Sequence, residues 1–168
     1  MGILCNVTNR AESGIAQFER ALALNRNLAM AHYGVALAKY CLGRPEETEA
    51  HIREALRLSP HDTFAFGWLA TVGFANFNLG KDEEATVWLR RSIETNRNYS
   101  ISHFFLAAAC AHLGRMEEAR GAVEAGLAFD PSFTIARRRA NPFSRNETYL
   151  KQIERYYTGL RMAGAPEE

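Results

Sequence analysis

Leu79-Gly80-Lys81-Asp82-Glu83-Glu84-Ala85 is the stretch on which the reading of this chain turns. It recurs upstream as Leu42-Gly43-Arg44-Pro45-Glu46-Glu47-Thr48 and downstream as Leu113-Gly114-Arg115-Met116-Glu117-Glu118-Ala119. Each copy follows an apolar stretch with helical patterning, so the glycine falls where a helix most often ends in a left-handed residue. The acidic pair just beyond opens the next helix, where exposed amides and the macrodipole favour carboxylates. Pro45 suits a first helical turn, in which its missing donor is not needed. The motif therefore predicts a helix, a tight turn and a second helix, three times over.

A second repetition brackets these units. Asn25-Arg26-Asn27-Leu28-Ala29-Met30-Ala31-His32 returns as Asn96-Arg97-Asn98-Tyr99-Ser100-Ile101-Ser102-His103, 71 residues later. The glycines of the Leu-Gly turns are 37 and 34 residues apart. The second helices carry a recurring row: Phe18 and Ala21, Ile52 and Ala55, Leu89 and Ser92, Val123 and Gly126. Small residues recur on the facing first helices at Ala36, Gly73 and Ala107, where paired helices can cross closely. Helix pairs are expected near 29–42 and 45–58, 62–79 and 82–94, and 100–113 and 116–129.

A period of 34 residues is that of the tetratricopeptide repeat, a helix–turn–helix unit. On the Leu-Gly turns, the small crossing residues and Pro60 and Pro131 after second helices, the chain resembles this family over roughly 130 of its 168 residues. The resemblance implies an all-α, right-handed solenoid of antiparallel helix pairs. Two features depart from the family pattern. The large aromatic usual early in the first helix is replaced by His32, Leu69 and His103, and three extra residues fall around Thr63 to Gly67. The organisation expected is a poorly patterned segment at 1–10, an array at 11–140 and a C-terminal capping helix and tail at 141–168. Within the array, a half repeat at 11–28 precedes full repeats at about 29–62, 63–99 and 100–133.

The two ends differ. Residues 11–24 match a second helix, whose partner belongs before residue 10, and MGILCNVTNR is too short and poorly patterned to supply it. The side of that helix bearing Ile15, Phe18 and Leu22 is expected to seek cover, from residues 1–10 or from a second copy in a weak homodimer. At the other end, Ser144 and Glu147 form a capping-box pattern. Tyr149, Ile153, Tyr156 and Leu160 fall on one helical face, as a terminal cap requires.

Composition narrows the function. Hydrophobic residues are 47% and charged residues 23%, ordinary for a globular chain. A net charge of +1 creates no long-range field for nucleic acid or an anionic membrane. Arg137-Arg138-Arg139 reads as a solvated helix face. Cys5, Cys41 and Cys110 are too few and scattered for a disulfide framework or zinc site, and are expected to stay reduced. The start has no signal-peptide pattern and no apolar run approaches spanning length, so a cytoplasmic location is expected. No HExxH, GxSxG, phosphate-loop or dinucleotide pattern occurs, so neither a metal, a cofactor nor a catalytic residue is assigned. The repeat-equivalent His32 and His103 read as structural.

What remains is the inner face of the first helices. The resemblance implies that Tyr33, Leu37 and Tyr40, then Phe74, Phe77 and Asn78, then Phe104, Ala108 and His112 point into a groove, aromatic and nearly uncharged. Such a lining suits an apolar helix or extended peptide from a protein partner; the bland alternative is that these side chains fill gaps between helices. Tyr33, Leu37, Thr71, Ile101 and Phe105 stand where related proteins place their carboxylate-clamping residues, so that clamp is absent. The NRN linkers, the turns and the ending Glu154-Arg155-Tyr156-Tyr157-Thr158-Gly159-Leu160-Arg161-Met162-Ala163-Gly164 resemble, more narrowly, the repeat regions that follow class III adenylate cyclase or winged-helix domains in multidomain bacterial proteins. That implies a regulatory or scaffolding role in a signalling protein, with no cyclase residue carried over. A self-association module or free-standing adaptor is the alternative, and an enzyme comes last.

Overall fold

Gly43, Gly80, Gly114 and Gly164 have φ of 73°, 75°, 75° and 82°, the left-handed conformation in which each ends a helix. In each turn the amide of the glycine donates to the carbonyl three residues back, and the next amide donates to the carbonyl five residues back. For Gly80 these bonds are Gly80 N to Phe77 O at 2.9 Å and Lys81 N to Asn76 O at 2.9 Å. Terminal carbonyls are thereby satisfied and the chain reverses. A Cβ on Gly80 would meet nothing within 4 Å, so Gly80→Ala isolates the backbone cost. Urea unfolding should register a loss of about 1–2 kcal/mol.

The computed structural model describes the backbone of residues 8–168 and the side chains of residues 13–168. The segment expected at 1–10 falls largely outside these described residues. The helices are α1 (Thr8–Leu24), α2 (Ala29–Cys41), α3 (Thr48–Leu58), α4 (Ala65–Asn78), α5 (Asp82–Thr95), α6 (Ser100–His112), α7 (Met116–Phe129), α8 (Ile135–Ala140) and α9 (Glu147–Met162). A 3-10 turn over Pro45–Glu47 leads into α3. Among the described residues there is no strand, and the three expected helix pairs appear as α2–α3, α4–α5 and α6–α7.

The extra residues of the middle repeat do not lengthen α4. Asp62 Oδ1 accepts the Phe64 amide at 2.8 Å and holds residues 62–64 in a turn, so the helix begins at Ala65. The NRN linkers are built alike. Asn25 Oδ1 accepts from Asn27 N and Asn96 Oδ1 accepts from Asn98 N, both at 3.0 Å. His32 Nε2 donates to the Arg26 carbonyl at 3.1 Å and His103 Nε2 to the Arg97 carbonyl at 2.8 Å, which gives the two histidines one shared structural task.

Second helices pack between successive first helices: α3 touches α2 and α4, and α5 touches α4 and α6. First helices also touch one another, α2 with α4 and α4 with α6, and form the inner row. Close crossing is real at Gly73, where a Cβ would lie 2.6 Å from Leu89 Cγ. The second-helix row is buried at Ile52, Ala55, Leu89, Ser92 and Val123. Phe18 of α1 sits against Gly34 of α2, while Ile15, Phe18 and Leu22 stay only half-buried. Cys110 is a free buried thiol, whereas Cys41 is disulfide-bonded, against the expectation of three reduced cysteines.

The C-terminal part departs most from expectation. Instead of a capping box from Ser144, Asn146 caps α9: its Oδ1 accepts the Tyr149 amide at 3.1 Å. Ser144 Oγ accepts the Asn146 amide one step earlier. Between the array and α9 lies α8, a short helix inside the span assigned to the array. The apolar stripe of α9 is buried as expected, but not over the end of the array. Its partners are α6 and α4, so the helix runs back along the inner row.

Candidate functional site

Three Leu-Gly turns position α9. Gln152 Nε2 donates to the Gly43 carbonyl at 3.1 Å, at the end of α2. Arg155 donates to the Phe77 carbonyl at the end of α4 and makes a two-pronged pair with Asp82, at 2.8 and 2.9 Å. Its guanidinium also lies over the Phe77 ring, 4.3 Å from the centroid. His112 Nε2 at the end of α6 donates to the Arg155 carbonyl at 2.8 Å. A cation at the carbonyl end of α4 suits the helix dipole, and Asp82, one of the acidic residues that open second helices, serves as its counterion.

Under this polar frame the apolar stripe inserts. Tyr149 meets Tyr40 edge-on at 5.4 Å, and Tyr156 stacks on Phe105 at 4.2 Å. Gly159 lets the backbones approach, since a Cβ there would stand 2.8 Å from the Ala108 carbonyl oxygen. The nine residues expected to line an open groove are therefore divided. Phe77 and Ala108 are fully buried, and His112 and Asn78 are half-buried along the same seam. Tyr33, Leu37, Phe74 and Phe104 instead wall a cavity of about 670 Å³ beside α9, and Tyr40, packed against Tyr149, belongs to both parts. The expectation of one continuous, free lining is thus corrected: a helix of the same chain covers half of it.

Sequence reasoning missed the far wall of the cavity. It is formed by α8 and the segment after it, with Arg137, Arg138, Asn141, Pro142, Phe143 and Arg145. Arg138 lies 3.9 Å from the Phe143 ring centroid and donates through Nη1 to the Asn141 carbonyl at 2.5 Å. The solvated face expected of the arginine run holds for Arg137 and Arg139, which are exposed, but Arg138 turns inward. The signal available was Phe133 and Phe143, two aromatics flanking the run. Thr71, Tyr99 and Ile101 complete the near wall.

Burial governs the electrostatics. Loss of solvation pushes Tyr40 and Tyr156 well above the ordinary tyrosine range and Tyr99 and Tyr149 up to about 12, while the charge of Arg138 opposes the rise at all four. These hydroxyls therefore stay protonated and available as donors. Those of Tyr40, Tyr149 and Tyr156, the Asn78 amide and Nε of Arg138 are out of solvent and make no well-formed hydrogen bond. Tyr40 nonetheless faces Tyr149 and Asn78, and Tyr156 faces Arg138. Among the described residues no group of histidine, cysteine and acidic side chains has the geometry to hold a metal ion.

Paired helices with Leu-Gly turns, small crossing residues and a row of first helices define a tetratricopeptide-repeat solenoid fold. Solved structures agree. The chain is similar to MamA, at 16% identity over 94% of this chain and 93% of the other, with a TM-score of 0.69. It is also similar to YrrB, a TPR protein with an unusual peptide-binding site, at 21% identity over 93% and 79% with a TM-score of 0.63. TTC0263, a thermophilic TPR protein of Thermus thermophilus, aligns at 22% identity over 93% and 84%, with a TM-score of 0.61. No protein-family model and no curated protein matches. No helix among the described residues is long and apolar enough to cross a membrane.

Proposed function

We propose that this chain is a protein-interaction module that holds a segment of a partner protein in the cavity beside α9. One observation carries the reading: the inner row already receives an amphipathic helix, its own α9, so its spacing and chemistry accept a peptide. The neighbouring cavity has aromatic and aliphatic walls with a few convergent polar groups, a composition suited to peptide recognition. That YrrB is a TPR protein with an unusual peptide-binding site supports the same use of the fold. Within a longer protein such a module would regulate or localise an output domain, the role that the linkers and tail imply.

The test is selection of displayed random peptides on the purified chain, with Ile101→Trp as the blocking variant. Ile101 is half-buried on the cavity wall, so the larger ring occupies ligand space. Selected peptides should bind the parent chain and lose about tenfold or more in affinity for the variant, a cost of ~1.4 kcal/mol. Peptides that bind both equally would move the site elsewhere. Self-association is a second reading, favoured by Leu24, Leu28 and Met30, exposed around the α1–α2 turn. A monomeric sedimentation profile at high concentration would remove it.

A further inference from the structure

The cavity is unevenly charged. Three arginines, Arg137, Arg138 and Arg145, line it against one aspartate, Asp130. That aspartate is already engaged: it accepts from Ser132 Oγ at 2.8 Å and stands 4.0 Å from Arg137. Among the described residues neither Arg138 nor Arg145 has a carboxylate within 4.0 Å, although surface arginines elsewhere pair with acids, as Arg53 does with Glu49. Unpaired cations at the surface are commonplace. An arginine that is stacked on an aromatic ring, with its Nε out of solvent and unbonded and only a backbone carbonyl on its Nη1, is not.

The buried polar groups around it are neutral. Tyr40 and Tyr156 line the cavity with Arg138, and their hydroxyls are buried without a well-formed partner. Tyrosine hydroxyls accept as well as donate, and Asn78 beside Tyr40 offers a carbonyl oxygen, so the neutral groups have one another. What the cluster lacks is a negative charge opposite Arg138. Neutral amides would satisfy single donors, whereas a carboxylate brings two oxygens and the missing negative charge, and charge-assisted bonds of this type are the stronger. The walls around this polar end, Tyr33, Leu37, Phe74 and Phe104, are apolar.

Resting on the reading of this cavity as a partner site, we infer that its occupant is an extended peptide segment with an acidic side chain between apolar residues. The carboxylate pairs with the guanidinium of Arg138, and the apolar neighbours lie against the first-helix wall. This differs from a clamp built on the first helices, because the cation comes from α8, beyond the last full repeat. The site exists only where α8 folds over the inner row, so it joins the terminal arm to the array.

The experiment uses the full chain and three peptide mixtures, each of five residues with Leu, Val, Phe or Tyr at the second and fourth positions. The central residue is Glu in one mixture, Gln in the next and Lys in the third. Capture by the chain is read by mass spectrometry at low and high salt. The Glu mixture should be enriched about tenfold or more over the others, less so at high salt, and the preference should vanish in Arg138→Gln. Arg138→Lys, which keeps the charge, should restore part of it, and the exposed Arg145→Gln guards against a folding defect at position 138. Equal capture of Glu and Gln mixtures, blocked by Ile101→Trp, would overturn the acidic occupant and leave the interaction site standing. Capture of none would overturn both, and a Glu preference unchanged by every arginine variant would place the charge reader elsewhere.

Discussion

Tyr156→Ala should lower the unfolding free energy by about 3–5 kcal/mol, the range for removing a large ring from a packed core. Tyr156 is 1% exposed and lies at the centre of the contact between α9 and the inner row. Its ring stacks on Phe105 at 4.2 Å and meets Phe77 edge-on at 6.4 Å, and such pairs add to simple burial. Its hydroxyl has no well-formed hydrogen bond. Tyr156→Phe should therefore stay within about 1 kcal/mol of the parent or exceed it, because an unsatisfied buried group is removed. Urea denaturation of both variants checks the pair. A large loss in the Phe variant would mean that the hydroxyl, not the ring, fastens the helix.

Gly159→Val should release α9 while leaving the repeats folded. Its Cβ would stand 2.8 Å from the Ala108 carbonyl oxygen and 2.9 Å from Ala108 Cα, and backbone cannot move aside as a side chain can. Relief comes only if α9 shifts as a body, which strains the Gln152, Arg155 and His112 hydrogen bonds together. Overpacking of this kind costs ~1–3 kcal/mol. Amide hydrogens over 147–162 should then exchange roughly tenfold to a hundredfold faster. Those of α4 and α5 should keep their protection, since their packing on each other does not involve Gly159. Uniformly faster exchange would mean that the array does not stand without α9.

Much of the fold was legible because its signals are local. A left-handed glycine, an acidic opening turn and a small crossing residue each act within a few residues, so Gly43, Gly80 and Gly114 mark the hairpins and Gly73 marks a crossing. The stripe Tyr149, Ile153, Tyr156 and Leu160 announced a buried face for the same reason. What that face covers depends on where the chain turns after Phe133, and this is not periodic. The six residues of α8, the turn at Pro142 and the Asn146 cap decide that α9 returns along the inner row. With α9 there, groove and cap are no longer separate surfaces. Phe77 and Tyr156 are two sides of one contact, and Phe77→Ala belongs with the destabilising changes. Arg138 was missed because a run of three arginines looks alike in sequence, while the turn of α8 leaves the outer two exposed and half-buries the middle one.

If the open half of the inner row, beside α9, receives a partner, a bound peptide must lie within reach of the cavity wall. A diazirine analogue of leucine, close to isoleucine in size so that the ligand space stays open, placed at Ile101 on that wall, and in a second chain at Val87, which is 56% exposed on α5, reads this contact. With a selected peptide bound, Ile101 should form the crosslink and Val87 should not, and the Ile101 adduct should be lost in excess unlabelled peptide. Crosslinking from Val87 with none from Ile101 would contradict a partner site in the cavity.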